Sequence, residues 1–269
     1  MDKYLRKFIS FLLNNNLFFV EVIALALPAF ILNNDNLDIP SLIKNILYIY
    51  CSLIALRLLL PAIYKAYEPN SKLVKVKAWL KVIYLGKIIL LSIILMASTK
   101  LLHNYLSPHT FSLLLITLFL KVLLIKSKIE HFTFAKCLII KFCYLFSLSF
   151  LSLLVYADLL ITPALLISFN LTCLLTGYSL ANLYLESPKK PTTKQLRIPG
   201  IFYLSHIGLQ GLHILLALVA PWKFIVFFFI PLIVKLTPPP LGQPTPIELE
   251  RYSKFNLLVF VIFLGIMLI

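Results

Sequence analysis

Two lysine-rich stretches hold the residues best suited to chemistry in this chain. Lys65 to Lys81 contains five lysines, Lys72 among them, and one acid, Glu68. Glu186 to Arg197 contains Lys189, Lys190, Lys194 and Arg197, with Glu186 as its single carboxylate. Ammonium and guanidinium groups meet phosphate oxygens as point charges or bidentate forks, so both stretches suit a diphosphate. Activating that diphosphate is harder, because Mg²⁺ is held by carboxylates together with phosphate oxygens in an octahedral shell. Two isolated glutamates could hold one ion at most.

A second constellation is His206, Gln210 and His213. Residues four and seven apart share one face of a helix. A haem or metal ligand pair is one reading. The preferred one is interhelical hydrogen bonding in a polar seam, with Gly208 and Gly211 permitting close approach, since no other His or carboxylate has matching ligand spacing. Arg57, Lys87, Lys141 and Asn170 also fall within apolar runs. A charge there is costly and marks a cavity or a partner, unless it lies near a helix end and snorkels, as Lys87 does. Arg57, about two turns before Tyr64, is expected on a polar cavity of the cytoplasmic half, and Glu21 at the membrane interface. No serine is flanked by nucleophile-elbow glycines. Cys51, Cys137, Cys143 and Cys173 have no CxxC spacing and read as small packing residues.

The elements that must carry these residues are set by composition. With 61% hydrophobic and 13% charged residues and a mean hydropathy of +0.96, the 269-residue chain is an all-α polytopic membrane protein. A bilayer core of about 30 Å takes roughly 20 apolar residues per helix. About nine spans are expected, near Leu17–Leu32, Leu42–Tyr64, Leu80–Thr99, Thr110–Ile125, Phe134–Tyr156, Leu159–Leu185, Gly200–Ala220, Lys223–Leu236 and Phe255–Ile269. The fourth, eighth and ninth are short, and the eighth is compatible with a re-entrant segment.

Basic residues alternate between the connections as this count requires, which places the N-terminus in the cytoplasm and the C-terminus outside. The net charge of +15 is thus mainly a topology signal, with attraction to anionic lipid headgroups added. It is divided among separate loops without a recognition motif, so no nucleic-acid partner is expected. The whole of 1–269 reads as one transmembrane domain, with cytoplasmic loops near 65–81 and 186–199 and a proline-rich connector at 237–246. Pro246 to Leu249 reads as the start of a short helix leading into the last span. Asn14 to Asn16 interrupt the first apolar run and no small-residue cleavage site follows, so no signal peptide is expected.

Nine helices, an inward N-terminus and enlarged cytoplasmic loops after the second and sixth helices resemble the UbiA-type intramembrane prenyltransferases. Asn182-Leu-Tyr-Leu-Glu186, followed by the basic run to Arg197, Ile198 and Pro199, is similar to that family's second acidic motif and the segment after it. Pro246 to Ile269 is similar to its polar lead into a last span. The resemblance implies a UbiA-like bundle in which the two loops hold an isoprenoid diphosphate. This chain departs from the pattern at both motifs. Pro61-Ala-Ile-Tyr-Lys-Ala-Tyr-Glu68 keeps only Glu68 as an acid, and Leu183 stands where an aspartate is expected.

Ionising an allylic diphosphate requires metal ions to neutralise the leaving group. The expectation is therefore a UbiA-like protein without Mg²⁺-dependent transfer. It would serve as an accessory or structural subunit of a membrane complex, with bound isoprenoid or quinone-like lipid and protein partners, in a bacterial inner membrane. Arg57, Lys65, Lys72, Asn182, Lys189, Lys190 and Arg197 are the expected ligand-binding residues, and Glu68 and Glu186 the relict catalytic positions. No metal site or other cofactor is expected. One alternative is a divergent prenyltransferase using Glu68, Glu186 and Mg²⁺ to move a polyprenyl group to an aromatic acceptor. Another is an unrelated multi-span transporter or complex subunit.

Overall fold

The computed structural model describes residues 20–27, 39–67, 78–129, 134–156, 161–186, 193–216, 221–231, 233 and 245–268. Among the described residues, seven long α-helices are present: α1 (Ile39–Tyr67), α2 (Ala78–Tyr105), α3 (Pro108–Ile129), α4 (Phe134–Tyr156), α5 (Ile161–Glu186), α6 (Thr193–Leu215) and α7 (Pro246–Leu268). A 3-10 helix, η1, covers Pro221–Phe229, and residues 20–27 are also helical. In hydrocarbon every backbone polar group must be satisfied within the segment, which is why such apolar runs become helices. Hydroxyls inside them bond back to the preceding turn. Ser52 donates to the Tyr48 carbonyl at 3.0 Å, Thr117 to Leu113 at 2.8 Å and Thr172 to Ser168 at 2.6 Å.

Five helices contain stretches long and apolar enough to cross a membrane: Ile43–Tyr64, Val82–Tyr105, Pro108–Lys126, Ala135–Val155 and Ala164–Asn182. They correspond to the second through sixth expected spans. Several boundaries differ from expectation. Helix α2 runs on through Lys100 to Tyr105, because the stop signal comes later, where Ser107 caps the next helix by accepting from the Thr110 N–H at 3.3 Å and Pro108 takes its first position. Helix α6 begins at Thr193, so Lys194, Arg197 and Pro199 belong to its first two turns and not to the expected loop. Pro246 starts one unbroken helix to Leu268, opened by a Thr245/Glu248 capping box. The eighth expected span begins as the 3-10 helix η1, where Ile, Val, Trp and Phe, weak helix formers, lie between Pro221 and Pro231.

The chain divides into two compact units, Asn36–Ser147 and Met1–Asp35 with Leu148–Ile269. In the first, α1 packs on α2 and α3, and Ser52 and Ser98 share a buried hydrogen bond of 2.7 Å between α1 and α2. Only 11% of the spanning stretch of α2 is buried, and Val82, Ile83, Ile89, Leu90, Ile93 and Met96 are exposed, as a lipid-facing helix requires. Lys121 of α3 is buried, with its ammonium 5.0 Å from the centre of the Tyr144 ring.

In the second unit α5 is the central element, with 83% of its spanning stretch buried. It packs most extensively on α6 and also on α7. Gly177 sets the α5–α6 approach: a Cβ there would lie 3.2 Å from both Phe202 Cβ and the Pro199 carbonyl oxygen. Gly211 does the same for η1, since its Cβ would meet Phe227 Cζ at 2.7 Å. Tyr178 and Phe260 stack between α5 and α7 with ring centres 4.0 Å apart. Ser152 donates to the Leu25 carbonyl at 2.5 Å, tying α4 to the 20–27 helix. Glu21 on that helix is buried.

Candidate functional site

The polar residues brought together by the fold lie between α5 and α6. Asn170, Gln210, His206 and His213 are all buried. The Asn170 amide nitrogen donates to Gln210 Oε1 at 2.8 Å and lies 3.1 Å from His213 Nδ1. An amide nitrogen only donates. In this arrangement His213 Nδ1 is therefore the acceptor, and its ring carries the proton on Nε2. His206 Nδ1 approaches the Asn170 backbone carbonyl at 3.3 Å, a contact that needs the proton on Nδ1. The two histidines thus adopt opposite tautomers around one asparagine. His206 also stacks on Phe263 of α7, with centroids 5.2 Å apart.

A second chain of polar groups runs toward the start of α6. Tyr203 donates to Asn256 Oδ1, and the Asn256 amide nitrogen reaches Asn182 Oδ1 at 3.4 Å. Tyr252 of α7 donates to the Leu196 carbonyl at 3.0 Å. Asn182, half-buried, is thereby fixed from α7 with its oxygen already accepting.

The expected ligand-binding residues are only partly within reach of description. Arg197 is half-buried in α6 and Arg57 half-buried on α1, in different compact units. Lys65 and Glu186 belong to described helices, but their side chains lie outside the described residues, as do Glu68, Lys72, Lys189 and Lys190 entirely. Among the described residues no three His, Cys, Asp or Glu side chains form a cluster that could hold a metal ion. His206 and His213 share a helix face as their spacing predicts, and both direct Nδ1 at Asn170.

Asn256 and Lys121 carry no signal in spacing alone. Asn256 lies one residue after the polar lead of α7, and Lys121 sits inside a long apolar run. A charge or amide within such a run is the mark that could have singled them out.

Five apolar helices of spanning length and a buried polar seam within a largely apolar bundle define an integral, polytopic membrane protein. No protein-family model, curated protein or solved structure matches the chain.

Proposed function

We propose that the protein is a UbiA-like integral membrane subunit that holds an isoprenoid or quinone-like lipid and has no Mg²⁺-dependent prenyl transfer. The observation that carries this reading is the charge pattern of the two basic stretches, Lys65–Lys81 and Glu186–Arg197, each with one carboxylate. They keep the electrostatics of a diphosphate site while lacking the carboxylates that would bind metal and drive ionisation. In this reading nine spans run from a cytoplasmic N-terminus to an external C-terminus in a bacterial inner membrane. The expected ligand-binding residues of this reading are Arg57, Lys65, Lys72, Asn182, Lys189, Lys190 and Arg197, whose cationic groups suit lipid phosphate. The lipid-facing surface offers room for protein partners in a membrane complex.

Purification in a mild detergent, followed by mass spectrometry of co-purifying proteins and lipids, tests the reading. Stoichiometric partner subunits together with a prenyl or quinone lipid are expected. Mg²⁺-dependent transfer of a prenyl group by the purified protein, abolished by Glu68→Ala and Glu186→Ala together, would replace this reading with that of a divergent prenyltransferase.

A further inference from the structure

Nine residues is an unusual length for a 3-10 helix, since its hydrogen bonds are poorer than those of an α-helix and such runs seldom exceed about four residues. Something beyond local preference must sustain η1, and its side chains show what. At about three residues per turn, every third position falls in one row along the helix. Trp222, Ile225 and Phe228 form one row, exposed by 46%, 46% and 79%. Lys223, Val226 and Phe229 form a second row, whose two ends meet α7. Lys223 donates to the Met267 carbonyl at 3.1 Å, and the Phe229 ring lies 6.1 Å from that of Phe263. Val226 between them is fully buried. In the third row Phe227 lies against α6 at Gly211, where the missing side chain leaves room for its ring.

An α-helix over the same residues would pull these contacts apart. With about 100° per residue in place of about 120°, Lys223 and Phe229 would point about 120° away from each other. Phe263 and Met267, four positions apart, share one side of α7 and can receive both only when the two lie in one row. The contacts with α6 and α7 therefore select the 3-10 form, and their loss returns the segment to the α-helical preference. We propose that η1 is a two-state latch: wound as a 3-10 helix it clasps the last turns of α7 to α6, and on release of α7 it relaxes to an α-helix, shortening by about 4.5 Å over its nine residues. The latch reaches the buried seam through one side chain. Phe263 meets Phe229 of η1 and also stacks on His206 with centroids 5.2 Å apart, so opening of η1 frees the ring that covers His206. The device requires no bound lipid.

Spin labels on the exposed row read the state of the latch. Trp222, Ile225 and Phe228 are replaced singly by cysteine in the full chain, with Cys51, Cys137, Cys143 and Cys173 changed to alanine, and the labelled protein is reconstituted in nanodiscs. Collision with dissolved oxygen, which concentrates in hydrocarbon, measures contact with lipid. With the clasp intact, all three labels are expected to be similarly and highly accessible, which a period of about three residues allows. Lys223→Met and Phe229→Leu each remove one attachment to α7. Either is expected to lower the accessibility at one end of the row, Trp222 or Phe228, by about twofold or more, the mark of a period of about 3.6 residues. Thermal unfolding checks that each variant is folded. If neither folds, warming the protein with its clasp intact toward the unfolding midpoint decides the outcome, and a second spectral component at one end of the row is expected. Equal accessibility along the row in the folded variants overturns the latch, as does a single unchanged component on warming when no variant folds. A 3.6-residue pattern with the clasp intact overturns it as well.

Discussion

Lys223 donates from its ammonium to the Met267 carbonyl at 3.1 Å, joining η1 to the last turn of α7. The lysine is buried and its charge lies where the helix leaves carbonyls unpaired, at the negative end of the helix dipole. Trp222 adds a ring 5.7 Å from the ammonium. Lys223→Met keeps the stem but removes the donor. It is expected to destabilise the protein by about 1–3 kcal/mol, read as a lower midpoint in thermal unfolding in detergent. An unchanged midpoint would mean the contact contributes nothing.

Asn170 is the hub of the α5–α6 seam, so its loss strands two partners at once. Asn170→Leu leaves Gln210 Oε1 and His213 Nδ1 without this donor, at a cost of about 1–3 kcal/mol for each buried group. Gln210→Leu removes one of them. A double-mutant cycle between the two positions is expected to show coupling of about 0.5–2 kcal/mol, and strictly additive effects would count against the hydrogen bond.

Gly177 admits no larger side chain without movement of backbone. Its Cβ position lies 3.2 Å from the Pro199 carbonyl oxygen, and a backbone atom cannot rotate away as a flexible side-chain end can. Gly177→Val is expected to cost about 1–3 kcal/mol by overpacking. Gly208→Ala, with nothing within 4 Å of the new methyl, serves as the comparison and is expected to be neutral or slightly stabilising.

Glu248 makes the start of α7 sensitive to acid. Its carboxylate accepts from the Thr245 backbone N–H at 2.7 Å and the Thr245 hydroxyl at 3.0 Å. These bonds, the backbone one foremost, hold its pKa below the usual value, with Arg251 adding to them. A carboxylate with a depressed folded pKa contributes stability above the unfolded pKa, and that contribution is lost as pH falls through the folded one. Protection against hydrogen exchange at the first turn of α7, relative to the intrinsic rate at each pH, should therefore fall as pH drops below the ordinary glutamate value near 4.3. Glu248→Gln should flatten this dependence, whereas an identical profile in the variant would show that the box does not hold the turn.

The helical character was legible because bilayer length and backbone satisfaction leave few alternatives to a long apolar run. Phe134–Tyr156 has the same limits as helix and as expected span. The His206, Gln210 and His213 face was equally legible, since angular position follows from spacing within one helix. Boundaries set by capping were less so. Ser107 begins a helix through a local hydrogen bond that hydropathy does not register, and α6 starts at Thr193, so Arg197 passed from expected loop to helix.

What the sequence alone determined is the membrane setting, the helices and which residues share a helix face, because these depend on composition and on 3.6-residue periodicity. Which faces meet was decided only by tertiary structure. Asn170 opposite Gln210 and His213, Tyr203 against Asn256, and Lys223 at the end of α7 are partners 40 to 53 positions apart. Packing at Gly177 and Gly211 fixes those approaches, and a hydrogen bond that needs heavy atoms within about 3.2 Å is decided by such packing and not by pattern.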